Sequence, residues 1–207
     1  MKKTDMNKQK KRTALLDAAY HLFLEKGFAQ TTIADIVDAA GVAKGTFYLY
    51  FTDKYDLRNR VTASKAYHIF EQAWDALPPR HRMSFDEQMV FVVDQILDQL
   101  ASDESLTRFL ERRLGEALFI SPSEGSPTGM DLFLARLDAS DYSCRTPEIL
   151  ICLVVEMAGS AGYSAIVNGH PTSLEELRPY LRETIQNMVH QFRSQSRHQN
   201  DLPVELL

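Results

Sequence analysis

Thr31 to Leu57 read TTIADIVDAAGVAKGTFYLYFTDKYDL, and this stretch decides the fold. Ile33, Ile36, Val37 and Ala40 recur at the i, i+3, i+4, i+7 spacing of one helical face, which predicts a short amphipathic helix over 33–40. Thr32 and Asp35 are spaced to cap its start reciprocally. Gly41 follows, a residue that tolerates the left-handed backbone of a helix end, and Val42 is an apolar plug for the turn. A second helix of about two turns is expected over 44–50. A helix that short does not hold itself together in water. Phe47 and Phe51 are therefore read as its inward anchors. Lys44, Gly45, Thr46, Tyr48 and Tyr50 are left for the other side, and they are basic, small, hydroxyl-bearing or aromatic. Two short helices around a tight turn, the second presenting such a face, form an arrangement suited to the major groove of DNA.

These residues also carry a likeness. Thr31, Thr32, Ile36, Gly41, Val42, Gly45, Thr46, Tyr48, Tyr50, Phe51 and Lys54 stand where the pattern of the TetR/AcrR family of bacterial transcriptional regulators has them. With the preceding helix, the chain resembles that family over about residues 10–60. One position departs from the pattern: Ala43 stands where the family usually has Ser. That removes a helix cap worth about 1 kcal/mol and one contact to a phosphate. Lys54 is expected on phosphate with the Tyr50 hydroxyl beside it, and Tyr48 on phosphate or a thymine methyl. Thr46 belongs to the same surface. Lys44 is placed to donate to guanine O6 and N7. Thr31 and Thr32 are expected to touch backbone from a helix start, where free amides favour an anion. Lys8 to Arg12 either add phosphate or minor-groove contacts or form a solvated tail.

Charge supports a one-ended DNA binder. Residues 1–60 carry eleven Lys and Arg against seven Asp and Glu, a net of +4; with the whole chain at −5, residues 61–207 hold −9. A composition 44% hydrophobic and 25% charged is that of an ordinary globular chain. The basic start MKKTDMNKQKKR leads into no apolar segment of a signal peptide. The longest apolar run, Ile149 to Val155, is far short of a membrane span. Cys144 and Cys152 lack metal-ligand spacing and read as reduced, as in the cytoplasm. Neither a metal nor a cofactor is expected.

The rest of the chain reads as helix throughout: 8–26, 54–77, 84–100, 104–119 with a possible break at Gly115, 130–139, 147–168 and 174–197. Ser121 to Gly129, SPSEGSPTG, is the clearest loop. The expected fold is all-α with about nine helices. It comprises a helix-turn-helix head over residues 1–53 and a ligand-binding and dimerisation body over 54–207. The helix over 54–77 roots in the head and runs into the body, and so could act as a lever between them.

Helix 147–168 is apolar nearly all round and carries Ala158, Gly159, Ala161, Gly162 and Ala165, which permit close backbone approach. It is expected to pair with the last helix in a homodimer interface, as the resemblance implies. The resemblance also implies an unknown small-molecule effector bound in the body. Tyr67, Phe70, Trp74, Phe91, Phe109, Phe119 and Tyr163 are the candidate lining. The acidic body could favour a cationic effector, or its carboxylates could simply be solvated surface.

Catalysis is not expected. The six histidines are scattered, and Gly162-Tyr-Ser-Ala-Ile166 lacks the second glycine of a nucleophile elbow. The sequence thus points to a dimeric repressor on a palindromic operator, released by a small molecule. The alternative is a helical small-molecule-binding or scaffold protein whose head no longer binds DNA.

Overall fold

A computed structural model of the chain describes residues 3–78, 83–111, 113–123 and 125–194. Among these residues the fold is all-α. Its only extended pairing is an isolated antiparallel bridge between Cys144 and Arg193.

Local chemistry sets the element boundaries in the head. Helix α1 (Lys3–Lys26) stops at Gly27, whose φ is 79°. Phe28 then folds back on Phe23, with ring centroids 5.3 Å apart. Helix α2 (Ile33–Ala39) opens on the expected capping box. The Thr32 hydroxyl accepts from the Asp35 amide at 3.1 Å, and the Asp35 carboxylate accepts from the Thr32 amide at 2.9 Å. Helix α3 (Lys44–Phe47) is shorter than the expected 44–50. The Leu49 and Tyr50 amides donate three residues back, to Thr46 and Phe47, so the last turn tightens. Helix α4 (Lys54–Asp75) is capped by Asp53, which accepts from the Tyr55 and Asp56 amides at 2.8 Å.

The body continues with α5 (Phe85–Ser102), α6 (Glu104–Leu110), α7 (Leu114–Ala117) and α8 (Gly129–Asp138). Helix α9 (Pro147–Tyr163) passes into a π-helical segment, Ser164–Asn168, and α10 (Leu174–Phe192) follows. Ten α-helices are described where nine were expected, because the helix foreseen over 104–119 is two. The break falls at Glu111, with φ 50°, and not at Gly115. Gly115 lies inside α7, where a Cβ would collide with the Glu156 side chain of α9. Its glycine serves packing rather than termination. The expected end of the last helix at Arg197 lies outside the described residues.

Two apolar cores result. The head core gathers Leu15, Ala19 and Phe23 of α1, Ile36 and Val37 of α2, Phe47, Phe51, and Leu57 and Val61 of α4. The body core is larger and lies among α4, α5, α8, α9 and α10. Helix α4 therefore belongs to both: its first two turns close the head, and Ile69, Phe70, Ala73 and Trp74 enter the body. Phe109 of α6 packs against both cores. Its ring meets Tyr20 edge-on at 5.0 Å and lies parallel to Phe23 at 6.4 Å. Helix α10 is fixed to α5 by ions as well as packing: Arg178 pairs with Asp94 at 3.0 Å and with Asp98, and Arg182 reaches Asp94 at 2.9 Å.

Residues Pro147–Asn168 form a helical stretch long and apolar enough to cross a membrane, with mean hydropathy 1.8. Within the fold, that apolarity is used in the body core, where Leu150 and Val154 are fully buried. The small residues of α9 also turn inward, contrary to the reading that reserved them for a second protomer. A Cβ at Gly159 would sit 3.2 Å from Leu114, and one at Gly162 would collide with Leu97. The apolar side chains α9 leaves exposed are Ile149 and Leu153, one helical turn apart.

Candidate nucleic-acid interface

The presented face of the head is built around two anchors. Phe47 and Phe51 are essentially fully buried, with centroids 5.6 Å apart. Burying a side chain of this size stabilises by about 1.5–3 kcal/mol, which holds four residues of helix that would not stand alone. The turn before α3 is tight: Gly41 has φ 65°, and the Val42 amide donates to Val37 O at 3.0 Å. Ala43 sits at the cap position of α3 and makes no side-chain cap.

On the outer side, Lys44 and Gly45 are exposed and Thr46 is half-buried. Tyr48 is exposed with its ring edge-on to Phe47, and Tyr50 is half-buried against the head core. Leu49, 78% exposed, is the most exposed large apolar residue of the chain's described part. It was not singled out from sequence, because an apolar residue next to anchor positions reads as core. The tightened turn after α3 is what carries it outward. Thr32 stays at the surface as the cap of α2. Hydrogen bonds from its amide and hydroxyl hold the Asp35 carboxyl below the ordinary carboxylate range.

Two residues expected on phosphate are used inside the head instead. Thr31 is fully buried, and its hydroxyl donates to Gly27 O at 2.8 Å, with Leu22 O at 3.2 Å. The Lys54 ammonium donates to Phe28 O and Thr31 O, both at 2.8 Å, with Ala29 O at 3.4 Å, and lies 4.4 Å from the Phe28 ring centroid. It satisfies carbonyls of the connection between α1 and α2, and so ties that connection to the start of α4. Charge-assisted bonds of this kind are stronger than neutral ones, and a short polar loop offers few other donors. Lys8, Lys10 and Lys11 are exposed on α1 rather than in a tail. Arg12 donates to Pro122 O of the loop before α8.

Residues 15–61 match the family model of bacterial regulatory proteins of the tetR family. The head thus carries the helix-turn-helix of that family. It is similar to the HTH-type transcriptional regulator YvdT of Bacillus subtilis, 35% identical over 85 residues, 41% of each chain. It is also similar to the HTH-type transcriptional regulator AcrR of Shigella flexneri, 30% identical over 118 residues, 57% of this chain and 52% of that one. These matches span about half the length of the curated relatives or less. Over 89% of its length the chain has the fold of a TetR-family regulator from Streptomyces coelicolor, with a TM-score of 0.62 at 17% identity and 98% of that chain covered. The TetR-type architecture thus extends through the body, beyond the matched head.

The seven aromatic candidates of the body do not form one lining. Phe70 and Trp74 share an apolar seam beside Met89 and Phe133. Trp74 also borders a cavity of about 560 Å³ at the far end of α4. Tyr67, Phe91 and Tyr163 are half-buried and border neither. Phe119 is 55% exposed, and Phe109 is spent on the contact between α6 and α1. Spacing along a helix cannot separate these roles, since an aromatic on an inward stripe can meet a cavity, a neighbouring domain or solvent at a helix end.

Proposed function

We propose that the chain is a dimeric transcriptional regulator that reads a palindromic operator with α3 and is released by a small molecule bound in the body. The observation that carries this reading is the exposed set Lys44, Gly45, Tyr48 and Leu49 on a segment clamped from behind by Phe47 and Phe51. A rigid short helix with basic, aromatic and apolar groups outward suits base edges and thymine methyls. Thr32, Thr46 and Tyr50 are proposed to flank it on the phosphates. Lys54 supports it from within.

The proposed division of labour runs from a DNA-binding head, residues 1–53, to a sensing and pairing body, residues 54–207. The proposed dimer face uses α9 and α10, where Ile149, Leu153 and Tyr180 are exposed. Two copies place recognition segments roughly 34–36 Å apart, one turn of DNA, when competent. A cytoplasmic location follows from this role, and no catalytic step is part of it.

Selection of bound sequences from a random duplex pool, at two salt concentrations, tests the reading. A palindromic consensus is the expected result. Salt-sensitive binding to every sequence alike would overturn it.

A further inference from the structure

The cavity and the seam in the body are neighbours, and their chemistry differs. The cavity of about 560 Å³ forms an open vestibule between the end of α4, the start of α5 and the end of α8. Its surface is as polar as it is apolar, and its described charges balance: Arg136 and Arg193 line it with Asp75 and Asp141, and Arg136 pairs with Asp75 at 2.8 Å. Behind Trp74, which borders both, lies the seam. It consists of two adjoining clefts with free volumes of only about 20 and 10 Å³, lined by apolar side chains and glycine. Phe70, Val93, Ile96 and Val155 border both clefts, so the Phe70 ring helps to partition one continuous apolar track. Gly129 gives that ring its place, since a Cβ there would stand 3.1 Å from it.

From this arrangement we infer that the effector is a single-chain alkyl compound whose tail enters the seam and whose head stays hydrated in the vestibule. The inference rests on the reading of the body as the sensing half. A seam whose lining offers no hydrogen-bonding side chain beyond the Trp74 indole penalises buried polar groups and rewards each buried methylene. A vestibule whose described charges balance and which opens to water gives, through those residues, little preference for the sign of a head group. The site is therefore a gauge of chain length. The clefts are nearly closed, so a tail must displace side chains on entry. That cost grows with the length of tail admitted and subtracts from the gain per methylene.

Trp74 is the chain's only tryptophan, and its position between vestibule and seam makes its emission a direct readout. The full chain is titrated with straight-chain carboxylic acids of about six to sixteen carbons and with the matching alcohols, all below micellar concentrations. The expected result is a Kd that falls with each added methylene, by at most about three- to fourfold, until the seam is filled. Acid and alcohol of equal length should then differ by less than the series does. Ile96→Phe, which fills both clefts, should flatten the length dependence, and the milder Phe70→Leu should move the preferred length upward. Equal affinity at all lengths, or a head-group preference larger than the length effect, would overturn the inference. Anisotropy of a labelled operator, measured on the same protein, separates the two readings. Operator binding without any length-dependent ligand would sink this inference and leave the regulator standing. Length-dependent binding without DNA recognition would do the reverse.

Discussion

Head and body are held together by different means. In the head a small core is supplemented by specific polar ties: the Thr32–Asp35 box, the Asp53 cap, the buried Thr31 hydroxyl and the three carbonyls gathered by Lys54. The body has caps and ion pairs of its own, at Ser84, Thr128, Ser173 and Arg178, but there they accompany a far larger apolar core among long helices. Hydrogen bonds fix direction where apolar packing tolerates exchange of one side chain for another. The head must hold a short segment at one angle, whereas the body must be able to open.

The contrast can be broken most sharply at Phe47. Phe47→Ala is expected to cost about 3–5 kcal/mol. Amides of α1 and α2 should lose hydrogen-exchange protection while those of α5 and α9 keep theirs. Protection lost throughout would mean that the two cores melt as one. Lys54→Met comes next: with its three carbonyl partners abandoned, the head should lose about 1–3 kcal/mol. A lowered Tm together with weaker DNA binding is expected. An unchanged Tm, with the salt dependence of DNA binding reduced by about one ion, would return Lys54 to the phosphates.

Thr32→Ala should cost about 1 kcal/mol through the cap of α2. Near-wild-type thermal stability would show that packing of Ile36 and Val37 alone sets that helix. The gentlest test is acid. Asp35 in the head and Asp131 in the body are held below their ordinary pKa by cap hydrogen bonds, and Glu176 is held down by the Thr172 hydroxyl first and the Ser173 cap second. A carboxylate depressed by folding contributes stability that is present above its unfolded value and lost as pH falls through the folded one. Stability should therefore decline as pH drops through about 4 and below. In Thr32→Ala the head's share of that decline should shrink while the body's remains.

Much of the fold was legible because it is written in local rules. Amphipathic spacing, the Thr32–Asp35 box and Gly41 each mark an element or its end where the structure has one. The misread points are those where a tertiary neighbour decides. Gly115 looked like a stop, but it makes room for Glu156, while the helix breaks at Glu111, a residue with no turn signature. Gly159 and Gly162 looked like surfaces for a partner, yet α7 and α5 of the same chain use them. At the site, the motif located the presented segment but not the loads inside it. Thr31 and Lys54 carry groups that could serve a phosphate or a carbonyl equally well, and only the position of the α1–α2 connection decides between them.

Helix α4 has a practical consequence for modular exchange. Its first two turns supply Leu57 and Val61 to the head core, and its remainder supplies Ile69 to Trp74 to the body. A head transplanted with a cut just ahead of α4 would leave behind two walls of its own core. The natural splice point for a hybrid regulator lies past Val61, within the helix, where the register of a continuous rod would pass unbroken from donor to recipient.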